Sequence, residues 1–236
     1  MGISFIVFAR NEDEDFILTL ESLRDVSDRT ESPIEIIAVN DGSSDETMSK
    51  LDQYFRNGFN VNLKYVIHQP PLGIAAALKA ALNEVTFEKC IPLPGHFMFD
   101  ADALTVLVNQ AYCSEVVVGY RINLLRERPI AKYLAAMCLK FLFMLTITRK
   151  VRDPHGLIVY PTDLLRKVID TNMRHENHIR ALAYAVNQGV SITNFPIPIR
   201  SGHKKRSRLK GRPSAPRFLH LIVGVQELFA SWKLLK

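Results

Sequence analysis

The chain has 236 residues, of which 47% are hydrophobic and 23% charged, with a net charge of +6. That length and balance suit one large domain, or a domain with an appendage, and exclude a chain disordered in bulk. Eight Lys or Arg and no acid fall between Arg200 and Arg217, which leaves the remainder at −2. The basic character therefore belongs to one segment, suited to the phosphate of a nucleotide, a nucleic acid or an anionic membrane surface.

In chain order, residues 3–8 read as a fully buried strand, without the basic start and long apolar region of a secretory leader. Phe16, Leu20 and Leu23 then recur at helical spacing within 13–23. Residues 34–39 are a second buried strand. A helix over 44–55 follows, with an Asp or Ser cap. A third strand at 61–67 leads to an alanine-rich helix over 74–85, opened by Gly73. Residues 90–99 should be strand only at their end, because Pro92, Pro94 and Gly95 interrupt the rest. A helix over 104–111, a strand at 114–119 and a basic loop from Arg121 to Arg128 come next. The apolar stretch 129–148 is helical. Its richest part, from residue 133, is cut by Lys140 and falls short of the roughly 18 apolar residues a membrane span needs. A short strand at 156–160, helices at 164–168 and 176–188, and a strand at 190–199 complete the regular pattern. The basic segment and a final helix over 218–235 follow, with 204–216 as the only linker-like stretch. The β-α-β-α rhythm predicts a mostly parallel, doubly wound α/β sheet. Cys90, Cys113 and Cys138 have no metal-ligand spacing and read as reduced, mostly buried thiols of a cytoplasmic protein.

The chemistry gathers at strand ends. Asp100-Ala101-Asp102 follows apolar Phe97-Met98-Phe99. If 98–100 closes a buried strand, both carboxylates emerge at its C-terminal edge, where open α/β sheets bind ligands. In an extended chain, side chains at i and i+2 point the same way. Two hard oxygen donors on one side suit Mg²⁺ or Mn²⁺. Asn40-Asp41-Gly42-Ser43-Ser44-Asp45 ends the second strand, with a carboxylate able to accept from a base N–H or a ribose hydroxyl. Ala9-Arg10-Asn11-Glu12 ends the first. Three polar strand ends on one sheet edge point to a ligand site more strongly than any one of them.

These segments, with Leu72-Gly73-Ile74-Ala75-Ala76-Ala77-Leu78, resemble the GT-A glycosyltransferases of family 2. Gly119-Tyr120-Arg121, the arginines up to Arg128, Arg152-Asp153-Pro154-His155-Gly156 and the basic run His203 to Arg208, with Gly211 and Ser214 beyond, resemble its polyprenyl-phosphate hexosyltransferase branch, which includes dolichol-phosphate mannose synthases. The resemblance implies a GT-A nucleotide-sugar-binding fold over 1–200, then a basic loop and a C-terminal amphipathic helix over 201–236. It implies an inverting, metal-dependent transfer of a hexose from a UDP- or GDP-sugar to a polyprenyl phosphate, at the cytoplasmic face of a membrane. Residues implied at the donor are Ala9, Asn11, Glu12, Asp41, Gly42, Gly73, Asp100, Ala101, Asp102, Arg206 and Arg208, with Ala75 packing nearby. Among them Glu12 and Asp41 would contact base or ribose. Asp100 and Asp102 would hold Mg²⁺ or Mn²⁺, and Arg206 and Arg208 would close over phosphate. Arg121, Arg126 and Arg128 fall where acceptor- or phosphate-binding arginines are expected, and Asp153 matches an acidic position. The catalytic set is Asp102, Arg121, Asp153 and Glu176.

The chain departs from the family pattern at Arg10 (usually aromatic), at Asn40 (usually Asp), at the shifted Leu125-Arg126-Glu127-Arg128, and at Ala103-Leu104, where a Gln is usual. The basic loop also lacks the Ser-Lys that usually ends it. A phosphate acceptor is already anionic, whereas a glycan or glycolipid hydroxyl needs a base, with Asp153 and Glu176 the candidates. Two other classes stay in view. A nucleic-acid binder acting through 204–217 lacks the aromatics that stack bases. A degenerate nucleotide-sugar sensor is motivated by Asn40 and Arg10. His175 and His178 lack a third ligand with zinc spacing. Leu221, Val225, Leu228, Trp232 and Leu235 share one face of the last helix, which fits core packing, a dimer interface or peripheral membrane contact.

Overall fold

Ile3–Ala9 (β1) and Ile34–Asp41 (β2) are near-continuous apolar runs, the pattern of strands covered on both faces. The computed structural model describes residues 1–56, 61–127, 130–169 and 177–201 of the chain. Between these strands runs α1 (Asp13–Arg29), and after β2 come α2 (Thr47–Arg56), β3 (Asn62–His68), α3 (Ile74–Glu84), β4 (Lys89–Pro94) and α4 (Ala101–Asn109). The second half holds β5 (Val116–Arg121), the short α5 (Leu124–Glu127), α6 (Ile130–Thr146), β6 (Leu157–Pro161), α7 (Thr162–Val168), α8 (Asn177–Asn187) and β7 (Ile192–Ile197). The final helix over 218–235 and the basic linker lie outside the described residues.

The seven strands form one sheet in the order β3-β2-β1-β4-β6-β5-β7. β1 pairs in parallel with β2 and β4, β2 with β3, and β5 with β7. β6 alone runs antiparallel, to both β4 and β5. The doubly wound expectation holds, with that one reversed strand. Alternation along β1 sends Ile3, Phe5 and Val7 to one face and Ile6 to the other. The first face packs Phe16, Leu20, Leu23 and Val26 of α1 and Leu104, Leu107 and Val108 of α4. The second packs α3, α7 and α8. Each fully buried Leu or Phe contributes about 1.5–3 kcal/mol of transfer free energy, so these two layers fix where the strand ends stand.

β4 differs most from expectation. It begins at Lys89 and stops at Pro94, so the prolines lie inside it and 98–100 is not strand. Gly95 donates its N–H to the Phe8 carbonyl, which turns the odd-numbered N–H groups of β4 toward β1. Positions 92 and 94 face the other way, and there pairing with β6 ends at Cys90. A proline without an N–H costs nothing on that unpaired side.

Of the cysteines, only Cys90 is buried, and burial pushes its thiol up to about 12. Cys113 and Cys138 are exposed, against the expectation of mostly buried thiols. An aromatic disulfide reagent at about pH 8 should therefore label two thiols at once and the third only after unfolding. Three fast thiols would contradict the burial of Cys90.

Candidate functional site

The loops after β1 and β2 are tied into one unit. Asn11 takes a left-handed φ of 58°, which Asn tolerates better than most residues, and its side chain accepts from the Ser44 N–H at 2.7 Å. Its own N–H donates to the Ser43 hydroxyl at 3.0 Å, and the Ser43 N–H donates to the Asn40 side chain at 3.2 Å. Thr47 accepts from the N–H groups of Glu12 and Asp13 and donates to Asp45, which caps α2. Asn40, a departure from the family pattern, thus braces the turn. Gly42 has a φ of +65°, and a Cβ there would lie 2.6 Å from Pro71, so the turn admits only glycine. Ala9 is buried beside Asn40, its register partner in β2.

Asp41, at the end of β2, accepts from the Leu72 and Gly73 N–H groups at 2.8 and 2.9 Å, and stands 3.2 Å from His68 Nδ1. It therefore fixes the start of α3 as well as facing the edge. Gly73 has a φ of +93°, and Ala75 is buried just beyond it. His68 was not among the expected residues. It ends β3 on the same edge, and its place at a strand end, like that of Asp41, is the signal in the sequence that marks it.

Asp100 and Asp102 are not where the sequence places them. The residues that leave β4 at the sheet edge are Pro94, Gly95 and His96. Gly95 is required there, because a Cβ would lie 2.6 Å from the Phe8 carbonyl and 2.9 Å from the Phe16 ring. The chain then passes along α1, where the Phe97 N–H donates to the Thr19 hydroxyl at 3.1 Å. Asp100 is the N-cap of α4, accepting from the Ala103 N–H at 3.0 Å. Ala101 and Asp102 are its first helical residues, and Asp102 pairs with Arg29 at 2.6 Å, its side chain 86% exposed. Arg29 is the last residue of α1, the helix that returns the chain to the start of β2. α4 has nine residues, about 13 Å, and therefore starts partway down the flank. One carboxylate is extended and the other helical, so the shared side expected of i and i+2 in a strand is lost. These carboxylates do not fit a divalent cation at the ligand edge. Among the described residues, no group of three or more His, Cys, Asp or Glu is placed to hold a metal.

Arg121 and Asp153 are brought together. Arg121 Nε and Nη2 donate to the two carboxylate oxygens at 2.8 and 3.0 Å, and the Arg121 and His155 N–H groups add bonds of 3.2 Å each. Both side chains are less than 10% exposed. Burial works to raise the Asp153 pKa, but the bonds and charge of Arg121 outweigh it and hold the carboxyl below its ordinary value. An aspartate held ionised by four donors is a poor proton acceptor and a good brace. Beside it, the Arg152 guanidinium lies 5.1 Å from the Tyr120 ring centre and donates to its hydroxyl at 3.0 Å.

Arg126, on α5, is exposed. Arg128, Glu176, Arg206 and Arg208 lie outside the described residues. Arg200 was not foreseen. Its N–H donates to the Met98 carbonyl at 2.9 Å, and its guanidinium stands 4.2 Å from the centre of the Phe97 ring. Along α6, Ile130, Leu134, Met137, Phe141 and Leu145 form an apolar stripe between 39% and 69% exposed. Among the described residues, no helix is long and apolar enough to cross a membrane.

The fold is similar to several solved structures. S. aureus TarS residues 1–349 in complex with UDP is 18% identical, with a TM-score of 0.60 over 84% of this chain and 60% of that one. The mannosyltransferase PcManGT from Pyrobaculum calidifontis, in complex with GDP-Man and Mn²⁺, is 17% identical, with a TM-score of 0.62 over 97% and 73%. Glucosyl-3-phosphoglycerate synthase from Mycobacterium tuberculosis, in complex with phosphoglyceric acid, is 14% identical, with a TM-score of 0.65 over 98% and 78%. The chain thus spans about three fifths of the TarS chain. At these identities the likeness shows a common GT-A fold. No curated protein sequence matches the chain. The family model described as glycosyl transferase family 2 matches residues 4–170, well over half of the chain, and the chain belongs to that family.

Proposed function

We propose that this protein transfers a hexose from a nucleotide sugar to a polyprenyl phosphate, with inversion at the anomeric carbon. The donor lies across the joined loops after β1 and β2, with its base and ribose toward Glu12, Asp41 and Gly42. The acceptor oxygen attacks the anomeric carbon, the bond to the donor diphosphate breaks, and the nucleoside diphosphate leaves with the electron pair. Asp100 and Asp102 sit on the α1 flank, so no role in holding a divalent cation is assigned to them.

One observation carries the acceptor class: Asp153 is bound in a buried pair with Arg121. A hydroxyl acceptor needs a base; of the two candidates Asp153 is committed to four donors, and Glu176 lies outside the described residues. A phosphate acceptor brings its own negative oxygen and needs only positive charge to place it. The exposed Arg126 is one source, and Arg206 and Arg208 are others. The α6 stripe adds support, since an exposed apolar helix face suits the interface of a bilayer that holds the lipid. In this reading Arg121 and Asp153 are positioning residues that hold the loop before β6.

Labelled UDP- and GDP-hexoses, incubated with polyprenyl phosphate in detergent or with soluble glycans, test the proposal. Label should pass into the lipid extract. Label found on glycan hydroxyls alone would overturn it.

A further inference from the structure

We infer that this chain holds the diphosphate of its nucleotide ligand without a divalent cation, using Arg10, His96 and Arg200 in its place. The inference rests on the donor reading above and concerns only how that donor's charge is met.

A diphosphate set across the sheet edge needs positive charge at the edge. Where a metal supplies it, carboxylates must stand at the edge to hold the metal. Here the residues that leave β4 are Pro94, Gly95 and His96, and none of them has a carboxylate. The two aspartates beyond them have other tasks: Asp100 caps α4 and Asp102 pairs with Arg29 on the flank. Of the carboxylates at the edge, Asp41 is bonded to two backbone N–H groups at the start of α3, and Glu12 stands in the loop after β1, toward the base and ribose in the donor reading above.

Cationic residues gather instead. Arg10 follows directly on β1, at the position where the family usually has an aromatic residue. The bond from the Gly95 N–H to the Phe8 carbonyl brings the turn that holds His96 beside that same strand end. Arg200, three residues after β7, is fixed to this turn by its N–H on Met98, by Nε on the Phe97 carbonyl at 3.2 Å, and by its stacking on the Phe97 ring. Three side chains able to carry positive charge thus come from the ends of three strands, two of them joined through one turn. Fixed guanidinium groups make strong charge-assisted bonds to phosphate oxygens. The departures at Arg10 and at the end of β4 then belong to one change: the charge has moved from a bound ion to the chain.

Titration calorimetry of the full chain with UDP, GDP and their hexose derivatives, in EDTA and in Mn²⁺, tests this. Affinity should agree between the two buffers to within about twofold, and Asp100→Asn and Asp102→Asn should leave it unchanged. Arg10→Ala and Arg200→Ala should each weaken binding by roughly tenfold or more. Arg200→Lys should retain more affinity than Arg200→Ala, which separates charge from bracing, with thermal melts confirming that each variant is folded. Binding that appears only with Mn²⁺ and is lost in Asp102→Asn overturns the inference and leaves the donor reading standing. Absence of nucleotide binding in both buffers overturns the donor reading itself.

Discussion

Arg121→Ala should lower the free energy of unfolding by roughly 3–5 kcal/mol, because it leaves the Asp153 carboxylate buried with its principal partner gone. Asp153→Ala should cost a similar amount by stranding the guanidinium. The double variant Arg121→Met/Asp153→Leu should lose less than either single one, since an apolar pair of like volume has no charge to desolvate. Urea denaturation at neutral pH reads all three, and single variants within about 1 kcal/mol of the parent would show that the pair is not a brace. The sign with pH follows from the shift. Asp153 has a lower pKa folded than unfolded, so its contribution is fully present above the unfolded value of about 4. It is lost as the pH falls through the folded value. In the parent, stability should therefore drop below about pH 4, and in Asp153→Leu that part of the drop should be absent. Transfer activity should fall with the single variants as the loop before β6 loses its anchor.

Glu35→Ala should be comparably damaging, by about 3–5 kcal/mol, and should leave nucleotide affinity of the folded protein unchanged. Glu35 is fully buried near the start of β2. It accepts from the Ser4 hydroxyl at 2.5 Å, the Thr86 N–H at 2.6 Å, the Thr86 hydroxyl at 2.9 Å and the Lys64 ammonium at 3.2 Å. Burial works to raise its pKa, and these donors together hold it below the ordinary carboxylate value. Removing the acceptor strands all of them at the end of the sheet where the turn after α3 meets the start of β4. Glu35→Gln keeps one carbonyl acceptor and should cost less, roughly 1–3 kcal/mol. A Glu35→Ala variant as stable as the parent, or one folded but unable to bind nucleotide, would contradict this assignment.

Both clusters show where the sequence stops being legible. β1 and β2 were readable because a strand buried on both faces needs an unbroken apolar run, and such runs are rare by chance. The polar loops after them were readable because ligand sites collect at one edge of a parallel sheet. Glu35 stood in plain view inside β2, yet its partners lie 29 to 51 residues away in sequence, and only the folded sheet gathers them. Arg121 and Asp153 were both singled out, but for separate tasks; 32 residues separate them, and no local pattern announces that each satisfies the other. The end of β4 differs from the expected one for a specific reason. Proline is a strand breaker only where its missing N–H would have bonded, and the sequence does not say which side of a strand is unpaired. Asp100-Ala101-Asp102 inherits that difference, because the same carboxylates serve a metal at a strand end and a cap at a helix start.

The reversed strand β6 has a topological result. β5 reaches the ligand edge at Arg121, and β6 sets out from that same edge at Leu157. Everything between them, α5 and α6 included, is an excursion that leaves and rejoins the sheet at one shore. Arg121 and Asp153 stand at its two feet and are bonded to each other, so the excursion is closed at its base like a buckled strap. Its inner side is tied to the sheet, because Phe143 is fully buried in the cluster that holds Val116, Val118 and Ile158, whereas its outer apolar stripe is not so tied. A lineage could re-clothe that outer stripe while β1, β2 and their joined loops stayed as they are.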